Sequence, residues 1–156
     1  MSTWSKSSIA GDLLFSTLLL VASLVAIDAS KASERTTNMK IRISIADKVV
    51  FATVADNATA RDFVSVLPLS VSMKDLFGRE KYGDLPKALS ENGPRKNTYE
   101  VGEIAYWSPD HQFAIYYHQD GESIPSPGLI PIAKIDAGVE AFNVTGSVKV
   151  TIAVAK

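Results

Sequence analysis

Few side chains in this sequence have a type and spacing that could do chemistry. The two histidines, His111 and His118, stand seven residues apart, near the carboxylates of Asp110, Asp120 and Glu122. Imidazole and carboxylate are both common metal ligands, so this cluster is a candidate metal site. However, its spacing matches no known metal motif, and histidines in a turn or at a strand end are usually solvated or hydrogen-bonded. We therefore predict no bound metal and no cofactor.

A second candidate is a pair of carboxylates, Asp136 and Glu140. Residues four apart share one face of a helix, as an acid/base pair would require. The favoured interpretation is simpler: Asp136 caps a short helix that runs to Phe142, and Glu140 is a surface charge. The sequence contains no Gly-x-Ser-x-Gly elbow, phosphate-binding glycine-rich loop or His-Glu-x-x-His pair. We predict no catalytic residue.

The composition excludes further classes of function. The chain has no cysteine, which removes disulfides, thiolate metal sites and cysteine nucleophiles together. Lys and Arg total 16 against 17 Asp and Glu, a net charge of −1, and no basic stripe is present. Because nucleic-acid binding depends on neutralising phosphates, we predict no nucleic-acid partner.

Most of the large aromatic side chains lie in the segment Tyr99–His118, whose alternation predicts a β-hairpin. The bulkier apolar set is predicted to face the core, namely Ile104, Tyr106, Phe113, Ile115 and Tyr117. Trp107, Tyr116 and His118 then point outward, and an exposed aromatic face is typical of a surface that binds a peptide or small molecule. The alternative is that the loop Ser123–Gly128 covers this face, which is the more common arrangement for aromatic residues at strand spacing.

A charged segment, Asp75–Tyr82, is the other place where a ligand could be held. Glu80 and Lys81 could orient a ligand, and Glu80 and Tyr82 join the predicted ligand-binding set. A run of mixed charge is usually solvated surface, however, and that is the favoured interpretation of this segment as a whole.

The first 38 residues differ from the remainder in composition, since they contain a long uncharged apolar run. An apolar run of 15 residues without a charge, Leu13–Ile27, precedes the small residues Ser30-Lys31-Ala32. This pattern predicts a signal peptide, 1–32, cleaved after Ala32, a linker, 33–38, and a periplasmic or secreted protein. Asp12 weakens the positive N-terminal region, so an uncleaved membrane anchor is one alternative. Translation from Met39, giving a cytoplasmic protein, is another.

From Met39 onward, alternation of apolar and polar residues predicts one domain, 39–156, built mainly of short strands. One helix is predicted to begin near Asn57 or Thr59, with Thr59 and Asp62 as a capping box, and to end at Pro68. The segment from Asp136 to Phe142 supplies a second. Gly102 is predicted to take a backbone conformation closed to other residues. About eight strands with two short helices predict a closed β-barrel, because closure removes exposed sheet edges. The predicted strands lie at 39–45, 49–54, 69–74, 104–107, 113–118, 129–135 and 148–154.

Several stretches resemble the bacterial cyclophilin-like domain family, and the resemblance covers residues 39–156. They are Asn57–Phe63 with Leu67-Pro68-Leu69, Val101–Trp107, Ala114–Tyr117 and Lys134–Glu140. The resemblance implies an eight-stranded barrel capped by helices, but it implies no agreed activity. Prolyl isomerases of the cyclophilin type carry a Phe-His-Arg motif and a Gln-Gly-Gly-Asp run, and neither is present here.

Two functions are therefore predicted. The first is an exported, non-catalytic module that binds a peptide or small ligand, and the alternative is a divergent peptidyl-prolyl cis-trans isomerase. A basic residue placed over an aromatic pocket would favour the enzyme, whereas an apolar cleft without one would favour binding. The sequence indicates no oligomeric state.

Overall fold

The computed structural model describes residues 39–156, so the apolar run Leu13–Ile27, the cleavage site after Ala32 and the linker lie outside the described residues. Within residues 39–156 no helix is long and apolar enough to cross a membrane. The chain forms eight strands and one α-helix in this range. They are β1 (Lys40–Ile45), β2 (Lys48–Val54), α1 (Ala58–Ser65), β3 (Leu69–Leu76), β4 (Glu80–Asp84), β5 (Glu103–Trp107), β6 (Gln112–Tyr116), β7 (Ile130–Ile135) and β8 (Val148–Val154).

The eight strands close into a barrel in the order β1-β2-β7-β5-β6-β4-β3-β8, with every neighbouring pair antiparallel. The predicted closed barrel is therefore confirmed. Closure pairs the first strand with the last, with Ile43 opposite Ile152. Because each strand alternates its side chains between two faces, one residue in two points into the barrel.

The barrel interior is filled by branched apolar side chains and aromatic rings. On β1, Ile41, Ile43 and Ile45 are all buried, and the residues between them are not. Helix α1 adds Phe63, whose ring centre lies 5.5 Å from that of Phe113 on β6. Burying a side chain of this size contributes roughly 1.5–3 kcal/mol, so this contact fixes the helix on the barrel.

Helix α1 begins as one of the two predicted caps requires. Asn57 is the N-cap, and its Oδ1 accepts a hydrogen bond from the Ala60 N–H at 2.9 Å. The predicted capping box does not form. Thr59 Oγ1 donates instead to the Ser90 carbonyl at 2.6 Å, and Asp62 Oδ2 accepts from the Ser90 N–H at 2.7 Å. These two side chains tie the loop after β4 to the helix.

The second predicted helix is a single 3₁₀ turn, Val139–Phe142, and a second such turn covers Ser108–Asp110. Asp136 does not cap it. Gly138 has φ +87°, which breaks the helical path before Val139. Asp136 instead accepts hydrogen bonds from Lys40 Nζ at 2.7 Å and Thr53 Oγ1 at 2.6 Å. With Asp136 outside the turn, the carboxylate pair with Glu140 is not on one helix face.

The prediction that Asp75–Tyr82 is solvated surface is wrong, because most of it is paired strand. Strand β4 forms there and pairs with β3 and β6. Lys81 is fully buried, opposite Asp75 across the turn, and its Nζ donates to Asp75 Oδ1 at 2.8 Å. The same Nζ donates to the carbonyls of Val144 at 2.5 Å and Gly146 at 2.8 Å. A buried cation is tolerated when its donors are all paired in this way.

Gly102 has φ +87°, as predicted for a residue in a conformation that side chains rarely adopt. Its N–H donates to the Tyr116 carbonyl at 2.7 Å, and its carbonyl accepts from the Ile135 N–H at 2.8 Å. This glycine therefore joins β6 and β7 at the start of β5.

Candidate functional site

The β5–β6 hairpin has the two faces that the alternation predicts. Ile104, Tyr106, Phe113 and Ile115 point into the barrel and are fully buried, and Tyr117 is half-buried against the same core. The other face carries Trp107 and Tyr116. It is not an open surface, because Tyr116 is only 1% exposed.

A flap made of two chain segments, 96–99 and 124–129, covers this outer face. The segments are joined by hydrogen bonds from the Ile124 N–H to the Asn97 carbonyl at 2.8 Å and from the Leu129 N–H to the Lys96 carbonyl at 2.7 Å. Between flap and hairpin lies a second apolar cluster, made of Tyr99, Ala105, Ala114, Tyr116, Ile124 and Leu129. The predicted cover by Ser123–Gly128 is therefore present, and it explains why Tyr116 is buried.

The flap does not close over the whole face. A pocket of about 450 Å³ remains between the flap, the hairpin and the β3–β4 turn. Its wall is formed by Leu76, Phe77, Arg79, Glu80, Tyr82, Trp107, Asp110, Gln112, Phe113, Ala114, Tyr116, Ile124, Pro125 and Leu129. Small-molecule sites have volumes of roughly 300–1,000 Å³, so this pocket has the size of a ligand site.

Four of the five residues predicted to bind a ligand meet in this pocket: Glu80, Tyr82, Trp107 and Tyr116. Strands β4, β5 and β6 bring them together, since β6 lies between the other two. The fifth, His118, is exposed and does not line the pocket.

Trp107 forms one side of the pocket and is half-buried. It ends β5, and its Nε1 donates to Asp110 Oδ2 at 3.0 Å. This bond spans the 3₁₀ turn and fixes the plane of the indole. Trp107 therefore presents an aromatic surface in a set orientation, as a ligand-binding side chain must.

The opposite side of the pocket carries a cluster of charged groups centred on Arg79. The guanidinium donates from Nε to Glu80 Oε2 at 2.9 Å and from Nη1 to Asp120 Oδ2 at 3.2 Å. Its central carbon lies 5.2 Å from the ring centre of Phe77 and 5.4 Å from that of Tyr99. We call Arg79, Glu80 and Asp120 the charged cluster.

Two tyrosines, Tyr99 and Tyr116, interact with the carboxylates of the charged cluster. Tyr99 donates its hydroxyl to Asp120 Oδ1 at 2.6 Å, and its ring stacks on that of Tyr116 with centres 4.3 Å apart. The Tyr116 hydroxyl in turn bonds Glu80. The two rings thus connect both carboxylates of the cluster, which holds its geometry rigid.

The two carboxylates have opposite pKa shifts. Burial raises the pKa of Glu80, and the bonds from Arg79 and Tyr116 offset this rise only in part. The pKa of Asp120 is lowered, chiefly by the Tyr99 hydroxyl and the Glu122 N–H. Burial and the nearby Glu80 raise the pKa of Tyr116, so its hydroxyl keeps its proton at neutral pH.

Arg79 is the central charged residue of the pocket wall, and sequence reasoning missed it. It sits in the segment interpreted as solvated charge, yet it is only 7% exposed. One signal was available: Asp75 and Lys81 lie symmetrically about Phe77-Gly78-Arg79, as opposite charges do across a hairpin turn. That symmetry predicts a strand on each side of the turn.

The structure does not group the two histidines with the carboxylates that lie near them in the sequence. Within residues 39–156 no three His, Cys, Asp or Glu side chains are grouped so that they could hold a metal ion. His111 is an exposed residue with φ +54° at the end of the 3₁₀ turn, and His118 is exposed beyond β6.

A wider hollow of about 860 Å³ lies on the outside of the barrel near Phe51, Asp136 and Val154. Its charged pair, Lys40 and Asp136, is solvent-exposed and already bonded. A pocket with buried polar groups is the better candidate for a ligand site, so the pocket beside the flap is preferred.

Comparisons with known proteins agree with the architecture. A family model described as "Cyclophilin-like family" matches residues 43–153. The solution structure of a hypothetical protein from Archaeoglobus fulgidus matches with a TM-score of 0.62 and 19% sequence identity, covering 76% of this chain and 96% of that one. At that identity the match shows the fold alone. No curated protein matches the chain.

Proposed function

The chain belongs to the cyclophilin-like family, and from that premise we propose that it is a binding module that holds a peptide or small molecule in the pocket beside the flap. Family membership accounts for the barrel but names no activity, because one fold carries many functions. The proposal therefore rests on the pocket itself. The carrying observation is that aromatic walls and the buried ion pair of Arg79 and Glu80 converge on one space of ligand size.

The two sides of the pocket contribute differently to ligand binding. Trp107, Ile124 and Pro125 offer apolar surface, which supplies most of the binding free energy for small ligands. Glu80 and Arg79 are held in place by the hydrogen bond between them, and their charges set the orientation of a bound ligand. A site fixed by its own hydrogen bonds loses little entropy when a ligand binds, and this preorganisation favours affinity.

The alternative, a divergent prolyl isomerase, is favoured by one observation. Arg79 is a basic residue beside aromatic rings at the pocket wall, which is the arrangement that would indicate an enzyme. Two of its nitrogens, however, already donate to Glu80 and Asp120. An arginine neutralised by two carboxylates is a weak partner for a substrate carbonyl, so the geometry supports binding over catalysis.

We further propose that the protein acts outside the cytoplasm. The support is the apolar run Leu13–Ile27 with small residues behind it. The absence of cysteine means that the fold requires no disulfide formation in that compartment.

The binding proposal is tested by NMR on the ¹⁵N-labelled full chain, following the indole N–H of Trp107 and the amides of Arg79, Glu80 and Leu129. Phenyl-bearing fragments and short proline-containing peptides are the probes. We expect saturable shifts confined to these signals. Trp107→Ala should weaken binding at least several-fold, whereas Phe51→Ala, which removes an exposed aromatic residue outside the pocket, should leave it unchanged.

The same samples separate the two functions. Exchange spectroscopy measures the cis–trans rate of an X-Pro peptide, and we expect no acceleration when the protein is added. An acceleration that disappears in Arg79→Ala would establish the isomerase instead. Probes that leave every pocket signal unshifted would refute the binding module.

A further inference from the structure

We propose that the pocket selects cationic ligands: molecules with an apolar or aromatic body and a protonated amine or guanidinium. This inference rests on the proposed function, because it names the chemical class that the same pocket would bind. It follows from the aromatic surface of the pocket and from an imbalance of charge among Arg79, Glu80 and Asp110 in the wall and Asp120, which bonds Arg79 from outside the lining.

The charged cluster contains one cation and two anions. The single guanidinium of Arg79 is shared between Glu80 and Asp120, at 2.9 and 3.2 Å. One negative charge is therefore left over. Asp110 adds another negative charge on the Trp107 side of the pocket. Among the described residues, the one hydrogen bond that the Asp110 side chain accepts comes from the uncharged indole N–H of Trp107. No lysine or histidine lies among the described residues that line the pocket.

Unbalanced charge matters most where water is excluded. The Glu80 and Arg79 side chains are 7% and 9% exposed, so their fields are poorly screened. Burial raises the pKa of Glu80, and the negative charge of Asp120 adds to this rise. A ligand cation would supply the missing charge, and a ligand anion would be repelled.

The aromatic wall favours the same class. Phe77, Tyr82 and Trp107 line the pocket, and cations are attracted to the faces of such rings within about 6 Å of the ring centre. Arg79 already uses this interaction, since it lies 5.2 Å from the Phe77 ring centre. A pocket that combines aromatic faces with surplus carboxylate is complementary to an ammonium or guanidinium group and to no anion.

Three probes of nearly equal size test the inference: 2-phenylethylamine, 2-phenylethanol and 3-phenylpropanoate. Each is titrated into the full chain at neutral pH, with the Trp107 indole N–H as the readout. We expect the amine to bind about tenfold more tightly than the alcohol and the carboxylate to bind most weakly. The preference should shrink as salt is added, because it is electrostatic.

Variants assign the preference to the proposed residues. Glu80→Gln should bring the amine and the alcohol to similar affinity. Because Glu80 is buried and its loss could unfold the chain, Asp120→Asn and Asp110→Asn, at more exposed positions, provide independent tests and should each reduce the preference several-fold. Asp136→Asn makes the same chemical change outside the pocket and should leave it intact.

The outcomes distinguish the cation preference from the proposed function as a binding module. Three probes that bind equally, or a carboxylate that binds best, would overturn the cation preference and leave the binding module standing. A preference for the amine that survives all three pocket variants would overturn it too, since its source would lie elsewhere. If no probe shifts a pocket signal, both proposals fall.

Discussion

Phe77 occupies a position where a bulky side chain is unfavourable. It has φ +57°, and the following Gly78 has φ +65°, in the turn closed by the Arg79 N–H to the Leu76 carbonyl. Turns with two left-handed residues favour Asn-Gly or Asp-Gly. A left-handed phenylalanine costs about 1–2 kcal/mol, and this one is 76% exposed, so burial does not compensate. Its ring lines the pocket, which suggests a role in binding rather than in stability.

Phe77→Asn should therefore change stability and binding in opposite directions. Relief of the left-handed strain should raise the melting temperature by about 3–6 °C. Loss of the ring should weaken binding of 2-phenylethylamine several-fold. Thermal melting and the NMR titration measure the two effects on one sample.

Ala46→Asn is the matched control for Phe77→Asn. Ala46 also has a positive φ, +51°, in the β1–β2 turn, but it lies outside the pocket. It should gain stability without any change in binding. If Phe77→Asn binds as tightly as the wild type, Phe77 has no part in recognition.

At the level of single residues, sequence reasoning located Glu80, Tyr82, Trp107 and Tyr116 in the pocket but not Arg79. Trp107 and Tyr116 were found because their alternation places them on one face of a hairpin. Arg79 was not found because one of its two carboxylate partners, Asp120, lies 41 residues further along the chain. A contact of that separation leaves no local pattern.

At the level of elements, the strands with one apolar face were predictable and β4 was not. Its sequence, Glu-Lys-Tyr-Gly-Asp, has a buried face that carries a charge. The groups that neutralise Lys81 come from the end of β3 and from the loop before β8. The prediction of a second helix was wrong for a related reason. Asp136 is bonded to Lys40 on β1 and Thr53 on β2 and does not cap the segment that follows it.

The contact between Asp75 and Lys81 predicts how pairing of β3 and β4 depends on pH. Burial by itself would raise the pKa of Asp75, but hydrogen bonds from Lys81 and Tyr117 outweigh it and lower that pKa below its ordinary value of 3.8. A carboxyl with a lowered pKa contributes stability above its unfolded-state pKa and loses it as pH falls. Wild type and Asp75→Asn should therefore differ most at neutral pH and converge below about pH 4.

Melting temperatures measured from pH 7 to pH 3 check this convergence. Tyr117→Phe removes one of the two side-chain donors, from a hydroxyl 2.6 Å from Asp75 Oδ1, and should give a smaller difference with the same trend. Burial raises the pKa of Tyr117 to about 12, so its hydroxyl is protonated throughout this range. A constant gap between wild type and Asp75→Asn across the series would show that Asp75 acts by packing and not by charge.

At the level of the whole molecule, barrel closure was predictable and the flap only in part, since segment 124–129 lies almost entirely within the predicted cover Ser123–Gly128 but segment 96–99 was not predicted. Alternation with a period of two residues recurs between β1 and β8, which predicts a sheet of about eight strands. Such a sheet removes its exposed edges by closing into a barrel. The flap has no regular strand beyond a single bridge between Lys96 and Leu129. Its segment 124–129 contains Pro125, Pro127 and Gly128, and its apolar residues follow no regular period that would indicate that they cover an aromatic face.

The proposed export concerns the whole chain and gives a further prediction. In cells that produce the protein naturally, the mature form should begin at Ser33, because Ser30-Lys31-Ala32 offers small residues where a signal peptidase cuts. Mass spectrometry of the extracytoplasmic fraction measures the N-terminus. An intact Met1 form in the membrane fraction would indicate an anchor, and a cytoplasmic form starting at Met39 would indicate an internal start. Either result would remove export as proposed.

The place of β8 in the barrel governs when the fold can form. This last strand lies between β1 and β3, pairing Val150 with Ile45 on one side and with Val71 on the other. Until it has been synthesised, β1 and β3 are open edges and the interior isoleucines have no opposing wall. Pairing of strands that are far apart in the sequence, as β1 and β8 are, is slow because the entropy cost of closing the long intervening loop comes before any stabilising contact. A nascent chain therefore cannot close the barrel until β8 has been synthesised, and until then the apolar faces of its other strands lack their partners.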